Sequence, residues 1–389
     1  MGFAVGLAVF TTLCAAQQTY LPYQPIVTDQ TALTLSNKLG PASTSVVNQN
    51  GDYAFVATGG TAVFLRKSGA PTPTRLLQHG DAVPGETGSR FDILFGSPAI
   101  RLNGSGMAML GISYLDATGH LITNVAIYDG NSVQLLVRPS DVAPGTGGDL
   151  YGPSISPVGF DGAGDVAFTA ILAVPTDPYS NLATPTLLIK PYGGAVVRVA
   201  GAGDIAPGTG GGTIGPIGNM SMNASGTILF RTNINGGAGG SAWYLGSAQG
   251  AQIIAWNGAS TNSSTTLTSV GTIAALNNTG EVVFQATDAN GVALWTWNST
   301  TGITRLMGHG DAAPADIGGT LNAFSNVLAL SDSGQFASMW TVTGGVAGGN
   351  VLLRYISAGQ LETVAYGGEA APGTATTFTF SSSSPVAIN

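Results

Sequence analysis

Five acids recur at one place in a repeated turn: Asp81 in GDAVPG, Asp141 in SDVAPG, Asp204 in GDIAPG, Asp311 in GDAAPA and Glu369 in GEAAPG. If the repeats form a ring, equivalent positions share a face, and a ring of carboxylates could bind a cation or sugar hydroxyls. Two carboxylates at the right separation could also cleave a glycosidic bond. The simpler expectation is that each carboxylate accepts backbone N–H groups of its own turn. The fourth repeat reads WNGASTN, with Ala259 in the acid slot and no proline, so an acidic ring would be broken there.

Other residues with chemical potential are less patterned. His79 and His309 both precede Gly-Asp, but the same slot holds Pro139, Ala202 and Gly367 in other repeats, and His120 lies outside the repeated motifs. There is no paired-histidine metal spacing and no G-x-S-x-G nucleophile elbow, so the histidines read as surface turn residues. DGAGD, 161–165, resembles the start of a calcium loop, yet the sequence after it, around Phe168, supplies neither further oxygen ligands nor a closing acid. GAGDIAPGTGGG, from Gly201, lacks the G-K-[ST] end of a phosphate loop. The N-x-[ST] triplets at Asn103, Asn219, Asn223, Asn262, Asn277 and Asn298 follow from a composition rich in Asn, Ser and Thr. No catalytic, cofactor-binding or metal-ligating residue is assigned from this reading, and no cofactor is expected.

The elements that hold these turns are themselves repeated. NQNGDYAF, NGSGMAML, DGAGDVAF, NASGTILF, NNTGEVVF and SDSGQFAS share the pattern N/D/S-x-x-G followed by an apolar run. Their glycines, Gly51, Gly106, Gly164, Gly226, Gly280 and Gly334, stand 55, 58, 62, 54 and 54 residues apart, which marks one unit copied six times. Asn, Asp or Ser can bond backbone N–H groups further on and Gly accepts positive φ, so the motif closes a tight turn and launches a strand. Phe55, Phe168, Phe230 and Phe284 occupy one place in that strand, as a shared core layer requires, with Leu110 and Ser338 as variants.

A hairpin pattern follows in each unit, for example AIYDGNSVQLLV and AWYLGSAQGAQIIAW, and then the Asp-x-x-Pro-Gly turn. A fourth apolar segment leads to the next Asn, as in SPVGFD and TIAALN. Four short strands per unit of this length predict an all-β fold: a β-propeller of about six blades, six to seven, with a β-solenoid as the alternative. Seven copies of the segment ending in the Asn precede only six of everything else, the last ending at Asn389. Either six blades close with one surplus strand, or the chain is truncated at its C-terminus.

Composition agrees. Charged residues are 8% against a usual value of roughly 25%, while 58 of 389 residues are Gly. With 44% apolar residues and a net charge of −8, charge-driven disorder is excluded. Twelve scattered basic residues give no stripe for nucleic acid. The apolar run from Phe3 to Leu13 and the small residues Cys14, Ala15 and Ala16 predict a signal peptide over 1–16, leaving 17–389 as a single repeat-built domain. The run is too short to span a bilayer, and the sole cysteine, Cys14, leaves with the leader.

The N-x-x-G-x-x-A-F pattern, clearest in NQNGDYAF and DGAGDVAF, resembles that of the bacterial NxxGxxAF tandem-repeat proteins, called choice-of-anchor because members end in different surface-anchoring signals. The resemblance covers about 48 to 389 and implies an exported or surface protein without catalytic residues. The expected function is a secreted or cell-surface binding or structural module, present as a monomer, with an extracellular glycan or protein as its partner. The alternatives are a propeller-type glycan hydrolase or lyase, which would need converging ionisable groups on one face, and a fragment of a larger anchored surface protein.

Overall fold

A computed structural model describes residues 42–57, 62–91, 100–177, 179–180, 184–237, 239–345, 349–370, 376–379 and 388. The expected leader and most of the closing SPVAIN segment fall outside these. The described residues form twenty-five β-strands and no helix.

The chain is an all-β propeller of six blades, each built of consecutive antiparallel strands a to d. Blade 1 comprises Ala42–Val47, Tyr53–Ala57, Ala62–Arg66 and Thr74–Gln78. In blade 2, strand a is split into Arg90–Phe91 and Ile100–Leu102, and is followed by Ala108–Leu115, Leu121–Tyr128 and Val133–Leu135. Blade 3 runs Leu150–Phe160, Val166–Ala173, Pro185–Lys190 and Val197–Ala200, and blade 4 runs Thr213–Met222, Ile228–Asn235, Ser241–Ser247 and Gly250–Trp256. Blade 5 runs Ser269–Leu276, Val282–Asp288, Gly291–Asn298 and Gly302–Gly308, and blade 6 runs Thr320–Leu330, Phe336–Thr343, Gly349–Ser357 and Gln360–Tyr366. Blades 2 and 3 are joined by one parallel pairing, Ser154 with Thr123.

The A-F of the repeat has a direct physical meaning. Successive strand residues point to opposite faces, so the two positions bury against different neighbours. Ala167, Leu229 and Val283, each just before the Phe position, pack with the following blade. Phe168, Phe230 and Phe284 pack with the preceding one. Blades 2 to 5 are thus buried on both faces against their neighbours, and five core clusters link the six blades in series.

Phe55, Phe168, Phe230 and Phe284 are all buried, and two of them stack on a ring of strand c: Phe55 on Phe64 at 5.5 Å and Phe230 on Tyr244 at 5.3 Å. Leu110 is equally buried. Ser338, also fully buried, is accommodated because Trp340, two residues on and therefore on the same face, supplies the bulk and donates its indole N–H to the Ser338 hydroxyl at 3.1 Å.

The six Asn-type turns are alike. Gly51, Gly106, Gly164, Gly226, Gly280 and Gly334 all have φ between 77° and 98°. In each Asn copy the side-chain oxygen accepts N–H groups two and four residues on, as Asn277 does from Thr279 at 3.1 Å and Glu281 at 2.9 Å. Asp161 accepts from Gly164 and Asp165, both at 2.8 Å. The Ser331 hydroxyl instead donates to the Gln335 carbonyl at 3.0 Å.

Candidate functional site

Strand a runs from the acid-bearing turn to the Asn turn, so strand direction places the acid-bearing turns and the b–c connections on one face of the propeller. The Asn turns and c–d hairpin turns occupy the opposite face. This first face holds Asp81, Asp141, Asp204, Asp311 and Glu369.

In five of the six units the residue before the acid slot is a glycine with positive φ, and in blade 2 Ser140 takes its place at φ 70°. The acid-slot carbonyl then accepts a backbone N–H from an apolar residue eight to ten positions on. Phe91 N–H donates to the Asp81 carbonyl at 3.0 Å, Ile214 to Asp204 at 2.8 Å and Leu321 to Asp311 at 2.9 Å. Leu267 makes the same bond to Ala259 at 2.9 Å. The backbone therefore closes this turn whether or not an acid is present. Gly85, Gly145 and Gly208 all have positive φ after their prolines, as a type II turn requires. Glycines 203, 208, 210 and 211 of the Gly-rich stretch are turn positions of the same kind.

The carboxylates reinforce the turn. Gln78 N–H donates to Asp81 at 2.9 Å, Gly201 to Asp204 at 2.7 Å, Gly308 to Asp311 at 2.7 Å and Tyr366 to Glu369 at 3.2 Å. Three of the acids also hold an arginine six residues earlier on strand d. Arg198 bonds Asp204 at 2.8 Å, Arg305 bonds Asp311 through two nitrogens at 2.8 and 3.1 Å, and Arg75 lies 3.9 Å from Asp81. This R-x5-D spacing was legible in the sequence as the matched positions of Arg75, Arg198 and Arg305. Asp141 takes no such arginine; Arg138, three residues before it, lies 4.0 Å from Glu86 instead. Burial pushes the Glu86 carboxyl upward against the pull of Arg138.

The histidines meet different fates. His309 shares a 3.0 Å contact with the Asn322 carbonyl, and His79 lies in an exposed turn. His120, which the repeat does not explain, sits in a compact group. It ends the b–c turn of blade 2, and Tyr179 reaches it from the b–c loop of blade 3, 4.0 Å between ring centroids. Beneath them Asp116 accepts from the Tyr179 hydroxyl at 2.5 Å, from Thr118 N–H and hydroxyl at 2.9 and 2.8 Å and from His120 N–H at 2.8 Å. Burial alone would raise the Asp116 carboxyl, but these donors outweigh it and hold it well below the usual range. Nothing in the sequence pairs Tyr179 with His120, because the two loops are specific to their own blades.

A shallow depression of ≈ 240 Å³ is lined by Pro84, Gly85, Gln134, Leu135 and Arg138. Among the described residues no cluster of three or more His, Cys, Asp or Glu side chains is arranged to hold a metal, and no helix is long and apolar enough to cross a membrane.

A family model described as "Family of unknown function (DUF7453)" matches residues 12–243 and 235–389. Among curated proteins none matches the chain. Solved structures of low identity resemble parts of it. A puromycin-hydrolyzing peptidase of Mycobacterium tuberculosis is 12% identical, with 84% of this chain aligned to 45% of that one and a TM-score of 0.41. The Aleuria aurantia lectin, described as a six-bladed β-propeller, is 12% identical over 83% of this chain and 93% of its own, with a TM-score of 0.30. TolB of Acinetobacter baumannii is 13% identical over 69% of this chain and 57% of its own, with a TM-score of 0.33. The chain thus spans about half the length of the peptidase.

Proposed function

The chain belongs to the DUF7453 family, and from that premise we propose that it is a secreted or cell-surface propeller serving as a recognition module without catalysis. One observation carries this reading: on the acid-bearing face, Asp81, Asp204, Asp311 and Glu369 are committed to their own turns, whereas the His120–Tyr179 pair is an exposed aromatic surface that the repeat does not require. Aromatic rings over a fixed carboxylate suit a partner with apolar faces and hydroxyls, such as a glycan or a tyrosine-bearing protein segment. The resemblance to the NxxGxxAF repeat proteins and the apolar leader support an extracytoplasmic setting.

The test is binding of the purified chain to an array of bacterial and host polysaccharides and to extracellular matrix proteins. Loss of the recognised partner in Tyr179→Ala and His120→Ala, each still unfolding in one cooperative transition, is the expected result; Tyr179→Phe, which keeps the ring, is expected to retain most of the binding. Binding indifferent to both substitutions, or turnover of an arrayed glycan, would replace this reading with another surface or with the hydrolase or lyase alternative.

A further inference from the structure

One rung of the ladder recurs in every blade. Across strands b, c and d it reads Phe55, Phe64, Arg75 in blade 1, Phe168, Leu188, Arg198 in blade 3 and Phe284, Trp295, Arg305 in blade 5. The arginine stands six residues before the acid slot and pairs with that acid, at 2.8 Å for both Arg198 and Arg305. In blade 2 the same rung reads Leu110, Ala126, Leu135. Leucine thus replaces the arginine, and Asp141 is left without it.

The replacement opens a space. In blade 3 the Arg198 side chain lies over the preceding turn, its Cδ and Cβ 3.3 and 3.5 Å from where a Cβ on Gly145 would stand, and in blade 4 Ile253 covers Gly208 in the same way at 2.8 Å. The equivalent glycine before blade 2, Gly85, is not covered from the rung. The atoms nearest to it all belong to the guanidinium of Arg138, three residues further on. Pro84, Gly85, Gln134, Leu135 and Arg138 thereby line the depression of ≈ 240 Å³. Pockets for drug-sized ligands run from roughly 300 to 1,000 Å³, so this smaller one suits a single ring. The Arg138 side chain is 56% exposed, and its acid partner among the described residues is Glu86 at 4.0 Å, far looser than the pairs of blades 3 and 5. Its guanidinium therefore keeps donors for a ligand.

We propose that this depression binds one neutral sugar ring of a glycan. The inference rests on the reading of the acid-bearing face as a recognition surface and names a ligand class for it. Pro84 and Leu135 offer apolar area to the C–H face of a pyranose, the Arg138 guanidinium donates to hydroxyls, the Glu86 carboxylate beside it accepts from them, and the Gln134 amide does either. The surrounding charges select a neutral ligand. Asp141 and Asp116 both act on Glu86 and oppose an anionic sugar, while Arg138 opposes a cationic one. The turn that supplies Pro84, Gly85 and Glu86 also abuts the Asp116–His120 turn, with the Ala117 Cβ 3.1 Å from where a Cβ on Gly88 would stand. The depression and the His120–Tyr179 rings thus belong to neighbouring turns of one face.

The test is ligand-observed NMR and calorimetry on the intact chain with the methyl glycosides of glucose, galactose, mannose and fucose at millimolar concentration, beside glucuronate and glucosamine. At least one neutral glycoside is expected to bind, and both charged sugars to bind more weakly. Arg138→Gln and Glu86→Gln are expected to weaken that binding by roughly tenfold or more, as for loss of one hydrogen bond to a charged group. Leu135→Arg restores the rung of blades 1, 3 and 5 and is expected to fill the depression and abolish binding, in a chain that still melts cooperatively. Glycoside binding retained in Arg138→Gln or Leu135→Arg, tighter binding of a charged sugar, or no binding of any neutral glycoside would overturn the proposal. In that last case a glycan captured on the array and lost in Tyr179→Ala leaves the recognition reading standing. Glycoside binding that persists in Tyr179→Ala and vanishes in Leu135→Arg upholds the depression even where the ring pair proves idle.

Discussion

The side-chain amide of Asn223 in blade 4 donates to the backbone carbonyl of Asn277 in blade 5 at 2.8 Å, across one full repeat of 54 residues. Asn277 does the same to Ser331 at 3.1 Å, and Asn48 to Asn103 at 2.8 Å. Asn103 reaches the Gly162 carbonyl at 3.5 Å. Asn is thus doubly used: its oxygen caps its own turn and its nitrogen ties that turn to the next blade.

Asn223→Asp keeps the cap but turns the donor into an oxygen facing a carbonyl. It is expected to lower stability at neutral pH by about 1–3 kcal/mol, the range for leaving a buried polar group unsatisfied. The loss should shrink as pH falls, because the protonated acid can donate again. Denaturant melts of parent and variant at pH 7 and pH 4.5 check both the size and the sign.

Phe168→Ala and Phe230→Ala should each cost about 3–5 kcal/mol, since each ring is fully buried between two blades. Ser338→Ala should be milder, leaving only the Trp340 indole N–H without its acceptor. Equal melting temperatures for Phe168→Ala and the parent would contradict the inter-blade packing.

Ser140 holds φ 70° where the other five units have glycine. Ser140→Gly should therefore stabilise the chain by about 0.5–1 kcal/mol, with strain relief exceeding the entropy glycine adds to the unfolded state. The reverse change at an equivalent turn, Gly203→Ser, should destabilise. Paired melts of the two variants decide the matter.

Asp311 accepts from Gly308 N–H and from two nitrogens of Arg305, so Asp311→Ala should cost about 1–2 kcal/mol. Gly85→Ala should cost about 1 kcal/mol or more, because φ there is 78° and the added methyl would meet the Arg138 guanidinium. Denaturant melts of parent and both variants check the sizes, and a Gly85→Ala melt equal to that of the parent would contradict the strain assigned to that turn.

The Asp116 carboxyl, held low by its donors, contributes stability that is fully present above the ordinary carboxylate range and lost as pH falls through its lowered folded value. Tyr179→Phe removes one donor and should reduce the difference in stability between pH 7 and pH 2. Urea melts at the two pH values on parent and variant test this.

Read alone, the sequence determined the unit, its strands and its turns, because these rest on local rules: alternation for strands, Asn-x-x-Gly and Asp-x-x-Pro-Gly for the bends, and a fixed period for repetition. The acid and glycine turns were legible for the same reason. What lay beyond it were the contacts between units. The direction of Asn223 toward Asn277 and the pairing of His120 with Tyr179 depend on which face of one blade meets the next. The residues involved lie about one repeat apart and carry no mutual signal along the chain. Only stacking of the blades brings them together, and that stacking places the Asn223 amide on the Asn277 carbonyl and the Tyr179 ring over His120.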